Sequence, residues 1–181
     1  RARSSQRKYF VVLQAMMMLQ GGKLKSQAAK NITQALQAIP DADGDSADVG
    51  QAIPQLTRLL CGRDHECQSE AARAVQMLAR HPVSQESLLR AEVMPPLIAL
   101  LRSLHTDVRE AAVGAIRSLV TSGGEGRRLA VRDGGVEALV AQLTSESRNL
   151  KESAAVALSS LAEEAPGEFL PALPHFAEML T

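Results

Sequence analysis

Residues 93–120, VMPPLIALLRSLHTDVREAAVGAIRSLV, contain two amphipathic segments joined by a short polar turn. In each segment apolar residues recur at steps of three and four, which is the period of one face of an α-helix. Asp107 is predicted to cap the second helix, and Glu110 to complete a capping box. One pair of helices is too small to bury both apolar stripes, so the pattern requires further copies. The two stripes comprise Met94, Leu97, Leu100 and Leu101, and Val108, Ala111, Ala112, Ala115, Ile116 and Leu119.

The pattern recurs along the chain: Pro54 precedes Pro95 by 41 residues, and Val136 follows Met94 by 42. A period of about 40–47 residues with two or three helices per unit is typical of helical solenoids. The sequence therefore predicts an all-α fold, a right-handed α-solenoid with essentially no strand. We expect repeats at 9–39 (partial), 50–81, 82–123, 124–163 and 166–181 (partial), with an acidic loop at 40–49.

Three segments resemble armadillo repeats: VGQAIPQLTRLL…CQSEAARAVQMLA, EVMPPLIALL…VREAAVGAIRSLV and DGGVEALVAQL…LKESAAVALSSLA. The resemblance covers nearly the whole chain and implies a short first helix before the two longer ones. Residues 84–91 and 126–133 match that first helix. Gly134 lies where the family usually has a glycine, at the corner before the second helix. Glu92 and Gln51 occupy that point in the other copies, so we expect less sharp corners there.

Composition limits the classes of partner. Lysine plus arginine and aspartate plus glutamate number 20 each, aromatic residues make up 2%, and tryptophan is absent. We therefore expect no nucleic-acid partner, because the chain has no net positive charge and few aromatic side chains on which bases could stack. No apolar run is long enough to predict membrane insertion. We expect the chain to begin and end inside a longer repeat array, with uncapped terminal repeats that allow self-association.

The two cysteines do not form a disulfide scaffold, which predicts a reducing location in the cytoplasm or nucleus. Cys61, His65 and Cys67 have the spacing C-x3-H-x-C, but a structural zinc site needs four ligands. Cys67 also aligns with core residues of the other repeats, so we expect no metal. No catalytic or phosphate-binding motif is present, and we predict neither a cofactor nor enzymatic activity.

The resemblance implies a binding groove on the concave side, where third helices present a ladder of outward-facing residues. Nuclear-import adaptors of this family carry Trp and Asn on that ladder, and neither occurs at the matching positions here. Arginine and lysine side chains near the groove favour a partly acidic peptide, although the same charges could serve only to solvate the helices. The predicted groove residues are Lys30, Gln34, Arg73, Met77, Arg80, Gly114, Arg117, Ser118, Val156 and Ser160.

Two classes of function follow from this organisation. The first is a scaffold or adaptor that binds an extended peptide or a partner helix along the concave groove. The second is a structural or regulatory arm that clamps a folded partner, such as a chaperone, a motor or a cytoskeletal protein. A nuclear-import adaptor is disfavoured because the Trp–Asn ladder is missing.

Overall fold

A computed structural model describes residues 46–163, which contain eight α-helices, one short 3-10 helix and no strand. The all-α prediction is therefore confirmed for this part of the chain. None of these helices is long and apolar enough to span a bilayer. The helices are α1 (Ser46–Leu60), α2 (His65–Leu78), α3 (Pro82–Arg90), α4 (Met94–Leu100), α5 (Thr106–Thr121), α6 (Gly124–Arg132), α7 (Gly135–Val140), the 3-10 helix Ala141–Thr144, and α8 (Arg148–Ala162).

The described helices can be grouped by the predicted repeats. Helices α1 and α2 belong to the second repeat, α3–α5 to the third, and α6–α8 to the fourth. The predicted short first helices, 84–91 and 126–133, are present but begin two residues earlier, at Pro82 and Gly124. Proline is favoured at the first helical position, because its missing N–H has no partner there in any case. The third helices form one layer, in which α2 packs on α5 and α5 packs on α8.

The core of this layer consists of small residues at equivalent positions. Ala71, Ala112 and Ala154 are at most 1% exposed, one on each third helix. Alanine allows neighbouring helices to approach more closely than leucine would, so the layer is dense. Larger side chains, such as Leu119 and Leu161, fill the space toward the other helices and are fully buried.

Side-chain caps begin two of the three third helices. The carboxylate of Asp64 accepts the N–H of Cys67 at 3.0 Å, and Ser147 Oγ accepts the N–H of Leu150 at 3.3 Å. The equivalent residue before α5 is His105, whose side chain makes no capping hydrogen bond. Helix α5 thus starts without a side-chain cap.

The predicted capping box at Asp107 and Glu110 is wrong. Helix α5 begins at Thr106, so Asp107 lies inside the first turn rather than before it. An acidic residue there still interacts favourably with the positive end of the helix dipole. Glu110 instead accepts a hydrogen bond of 2.6 Å from the hydroxyl of Ser147, which joins α5 to the start of α8.

The corners before the second helices also differ from expectation. Gly134 has φ +80°, in the left-handed region that glycine enters without strain. Glu92 has φ +53° at the equivalent point, so the prediction of a less sharp corner there is wrong. In the second repeat Gln51 lies within α1, which continues through that point without a corner.

The start of α1 differs from the prediction. Helix α1 begins at Ser46, so the predicted loop 40–49 is wrong for its last four residues. The earlier part of that loop and the predicted partial repeats at 9–39 and 166–181 lie outside the described residues.

A buried glutamine explains one irregularity of the repeat pattern. Gln142 stands where the third repeat has Leu100, and it is 7% exposed. Its amide donates hydrogen bonds to the carbonyls of Leu101, at 3.0 Å, and Ala138, at 3.2 Å. Because the Leu101 carbonyl follows the last turn of α4, this side chain links the second helices of consecutive repeats.

Candidate protein-binding surface

The residues that begin the third helices fix their register. Asp64, His105 and Ser147 precede α2, α5 and α8, at successive spacings of 41 and 42 residues. Nine residues further along are Arg73, Gly114 and Val156, and four residues beyond these are Met77, Ser118 and Ser160. The predicted groove pairs therefore occupy equivalent positions on three adjacent helices. We call these six positions, with Arg80 and Arg117, the third-helix face.

Most of the third-helix face is accessible to solvent. Arg73 and Arg80 are exposed, and Val156 is 47% exposed although it is apolar. Half-buried positions are Met77, Arg117, Ser118 and Ser160. The predicted groove residues Lys30 and Gln34 lie outside the described part of the chain.

Gly114 contributes differently from the prediction, because it is buried. A Cβ atom at this position would lie 3.0 Å from Gln76 Oε1 and 3.1 Å from Gln76 Nε2. The side chain of Gln76, from the neighbouring helix α2, therefore covers the glycine. Sequence reasoning missed Gln76, because its contact with Gly114 is made between two neighbouring helices. At the centre of the third-helix face, the Gln76 amide therefore forms the surface above Gly114.

Positive charge on the third-helix face lacks carboxylate partners in residues 46–163. Arg73 and Arg80 make no side-chain hydrogen bond or ion pair there, and the nearest polar partner of Arg117 is Ser153 Oγ, at 3.5 Å. An unpaired guanidinium can accept a carboxylate from a partner molecule without first breaking an internal bond.

The neighbouring carboxylates are already engaged. Glu110 accepts from Ser147, and Glu152 pairs with Arg148 at 2.6 Å. The hydrogen bond and the charge of Glu152 raise the pKa of the Arg148 guanidinium above its usual value. The face therefore presents positive charge at α2 and in the middle of α5, whereas the charges at the start of α8 neutralise each other.

Within residues 46–163, the cysteine and histidine residues do not form a cluster of potential metal ligands. Cys67 is buried, Cys61 is exposed, and neither forms a disulfide. The rings of His65 and His105 stack in parallel with centroids 4.1 Å apart. No group of three or more potential metal ligands occurs among residues 46–163. Beside this stack, the hydrogen bond from the Cys67 N–H lowers the pKa of Asp64, because it stabilises the carboxylate.

Two depressions lie outside the third-helix face. One, of about 630 Å³, runs between α3 and α6. The other, of about 460 Å³, lies at the turns before α5 and α8, beside Leu104, which is 94% exposed. The sequence pattern predicted neither, because each is formed by residues of two different repeats.

Comparison with known proteins agrees with this architecture. The Armadillo/beta-catenin-like repeat family matches residues 84–121 and 125–163. A Xenopus laevis protein, Rap1 GTPase-GDP dissociation stimulator 1-B, is 28% identical over 112 residues. The match covers 61% of this chain but only 18% of the Xenopus protein.

Solved structures with the same fold include engineered and designed proteins. One engineered protein superposes with a TM-score of 0.77 and 26% identity, covering 89% of this chain and 40% of that one. A designed armadillo repeat protein in complex with the peptide (KR)4 has a TM-score of 0.75 and 22% identity, covering 91% and 72% of the two chains. Residues 84–121 and 125–163 thus match the armadillo repeat, and the described residues 46–163 have the fold of an armadillo-repeat solenoid.

Proposed function

We propose that this chain is a non-enzymatic protein-interaction scaffold whose third-helix face binds an extended, partly acidic peptide segment of a partner protein. The observation that carries the proposal is the common register of Arg73, Gly114 and Val156 on adjacent helices. Equivalent positions on stacked helices repeat at the interhelical spacing, roughly 10 Å. An extended peptide advances about 3.3 Å per residue, so side chains three residues apart would meet successive helices.

The chemistry of the face supports an acidic segment followed by an apolar one. Arg73 and Arg80 have no carboxylate partner in the described residues, and Arg117 contacts only a hydroxyl there. At the other end, Val156 is exposed. One aligned designed protein binds the basic peptide (KR)4, whereas the arginines of this chain would repel such a ligand. Each exposed charge contact contributes about 0.2–1 kcal/mol, so apolar contacts at Met77 and Val156 must supply part of the affinity.

A displayed library of random dodecapeptides tests this function. We expect selection on the parent chain to enrich acidic–apolar sequences whose affinity falls about tenfold in the double variant Arg73→Glu/Arg117→Glu. The matched control is Arg58→Glu/Arg102→Glu, which reverses two exposed arginines outside the face. The proposal fails if no acidic–apolar sequence is enriched, or if both double variants bind the enriched peptides as tightly as the parent does.

A second candidate is a regulatory arm that clamps a folded partner. It is supported by the Xenopus relative, whose name describes a stimulator of GDP dissociation from the Rap1 GTPase. Release of fluorescent GDP from loaded Rap1 in the presence of excess chain tests this candidate. Faster GDP release would favour the regulatory arm, and an unchanged rate would remove the support that the Xenopus relative gives to it. For either candidate we propose the cytoplasm or nucleus, since neither cysteine forms a disulfide.

A further inference from the structure

The groove between α3 and α6 is separate from the third-helix face. None of its lining residues comes from α2, α5 or α8. Its volume of about 630 Å³ lies within the range of roughly 300–1,000 Å³ that is common for ligand sites. It is bounded by the first helices of the third and fourth repeats, together with the corner and the start of α4.

Glycine residues on the α6 side leave this groove open. A Cβ at Gly124 would have no atom within 4 Å, so the absence of a side chain there is not required by packing. By contrast, a Cβ at Gly126 would approach the backbone oxygen of Leu119 to 2.1 Å. The second glycine allows α6 to lie against the end of α5, and the first leaves the mouth of the groove free.

The floor of the groove is apolar and contains one hydrogen-bond acceptor. Leu89, Met94 and Leu129 line it, and the first two are largely buried. Gln85, which is 8% exposed, also lines the groove. Its amide nitrogen donates to the carbonyl of Leu119 at 3.1 Å. The amide oxygen of Gln85 is then left as an acceptor without a partner in the described residues.

Negative charge predominates around the floor, with four lining carboxylates and two lining guanidinium groups. Both guanidiniums are engaged within the chain: Arg90 pairs with Glu86 at 2.6 Å, and Arg132 pairs with Asp133 at 2.7 Å. The third carboxylate, Glu125, pairs with Arg128. The fourth carboxylate, that of Glu92, has no hydrogen bond or ion pair with residues 46–163.

Glu92 is also the strained residue. Its φ of +53° is unfavourable for any residue that has a Cβ atom, and the fourth repeat has Gly134 at this point. Strained residues persist where the surrounding structure or a function requires them. Here the strain fixes a carboxylate at the end of an apolar groove, where it makes no close ion pair with residues 46–163 and only a longer-range attraction to Arg132.

We propose that the α3–α6 groove is a second docking site, which receives a basic amphipathic segment of a partner protein. An apolar side chain of that segment packs on Leu89, Met94 and Leu129. A neighbouring lysine or arginine donates to Glu92 and to the Gln85 amide oxygen. Charge complementarity selects this occupant, because an acidic segment would meet the Glu92 carboxylate and find both lining guanidiniums already paired.

Selection from a displayed library of random dodecapeptides also tests this site. Here the binding of the enriched peptides is measured with variants of the α3–α6 groove. Gly124→Trp places a large side chain at the mouth of the groove, where a Cβ would meet no atom within 4 Å, and Ala99→Trp, at an exposed position of α4 outside the groove, is its control. We expect enriched basic–apolar peptides to bind Gly124→Trp at least tenfold more weakly. The Ala99→Trp control and the Arg73→Glu/Arg117→Glu variant should bind them as the parent does.

Glu92→Gly separates docking from a merely structural role. This substitution should raise the melting temperature by relieving backbone strain, and yet weaken the basic–apolar peptides about two- to fivefold. Glu92→Gln, which keeps the backbone constraint, should weaken binding similarly without raising the melting temperature. The site is refuted if no basic–apolar sequence is enriched, or if these peptides bind Gly124→Trp or Glu92→Gly as tightly as the parent.

Discussion

In the third repeat the corner before the second helix is Glu92, and in the fourth repeat it is Gly134. Both residues adopt positive φ, +53° and +80° respectively, so the two corners turn alike despite their different chemistry. The third repeat therefore has a strained carboxylate where the fourth has an unstrained glycine. The two repeats therefore share the backbone conformation of this corner and differ in its side chain.

The third helices of the same two repeats differ in a similar way. Their buried alanines, Ala112 and Ala154, are equivalent and both 0% exposed. At the outward position, α5 has the buried Gly114 and α8 has the exposed Val156. These buried alanines are therefore the same in both repeats, whereas the residues at the corner and at the outward position differ. We expect the positions that differ to determine which partner binds, and the shared buried positions to determine stability.

The largest expected effect concerns the first helices, where Gly126 in the fourth repeat corresponds to Ser84 in the third. Gly126→Ala places a methyl group 2.1 Å from a backbone oxygen, so α6 must shift. We expect a loss of about 1–3 kcal/mol or more in the free energy of unfolding. Ser84→Ala should change it by less than about 0.5 kcal/mol. Urea unfolding followed by circular dichroism measures both, and equal effects would disprove the closer approach in the fourth repeat.

The next effect tests the shared core. Ala112→Leu adds volume at a fully buried position between third helices, which should cost about 1–3 kcal/mol. Ala141→Leu, at an exposed position of the 3-10 helix, is the control and should leave stability nearly unchanged. Thermal unfolding of both variants would reveal an incorrect register if the control were equally destabilised.

A smaller loss is expected from Ser147→Ala, which removes the cap of α8 and its hydrogen bond to Glu110. Loss of an N-cap typically costs about 0.5–2 kcal/mol. Glu110→Ala removes only the second interaction and should therefore cost less. If the two variants were equally destabilised, the cap would contribute nothing, and α8 would resemble the uncapped α5.

The remaining effects are opposite in sign at the two corners. Glu92→Gly should stabilise the chain by about 0.5–1 kcal/mol, and Gly134→Ala should destabilise it by about 1–2 kcal/mol. Calorimetric melting temperatures of the two variants give the comparison directly. A decrease for Glu92→Gly would mean that the carboxylate contributes more to the folded state than its backbone strain costs.

The repeat pattern predicted the helices, their order and the buried alanines, because these depend on periodicity within each segment. It did not predict the start of α5, because that helix begins after His105, whose side chain makes no capping hydrogen bond and therefore leaves no capping signal in the sequence. Nor did it predict that Glu92 would share the conformation of Gly134, since packing of the whole repeat imposes that turn. Contacts between repeats, such as Gln76 over Gly114, depend on a neighbouring helix and have no local signature.

The central claim is that a partner peptide lies across the third-helix face. Backbone amide chemical shifts of the labelled chain, measured with and without an enriched acidic–apolar peptide, test it most directly. We predict that the perturbed amides cluster on α2, α5 and α8, around Met77, Ser118 and Val156, in one contiguous band. Perturbations confined to α3, α6 and the corner at Glu92 would contradict the claim and assign the acidic–apolar peptide to the other groove.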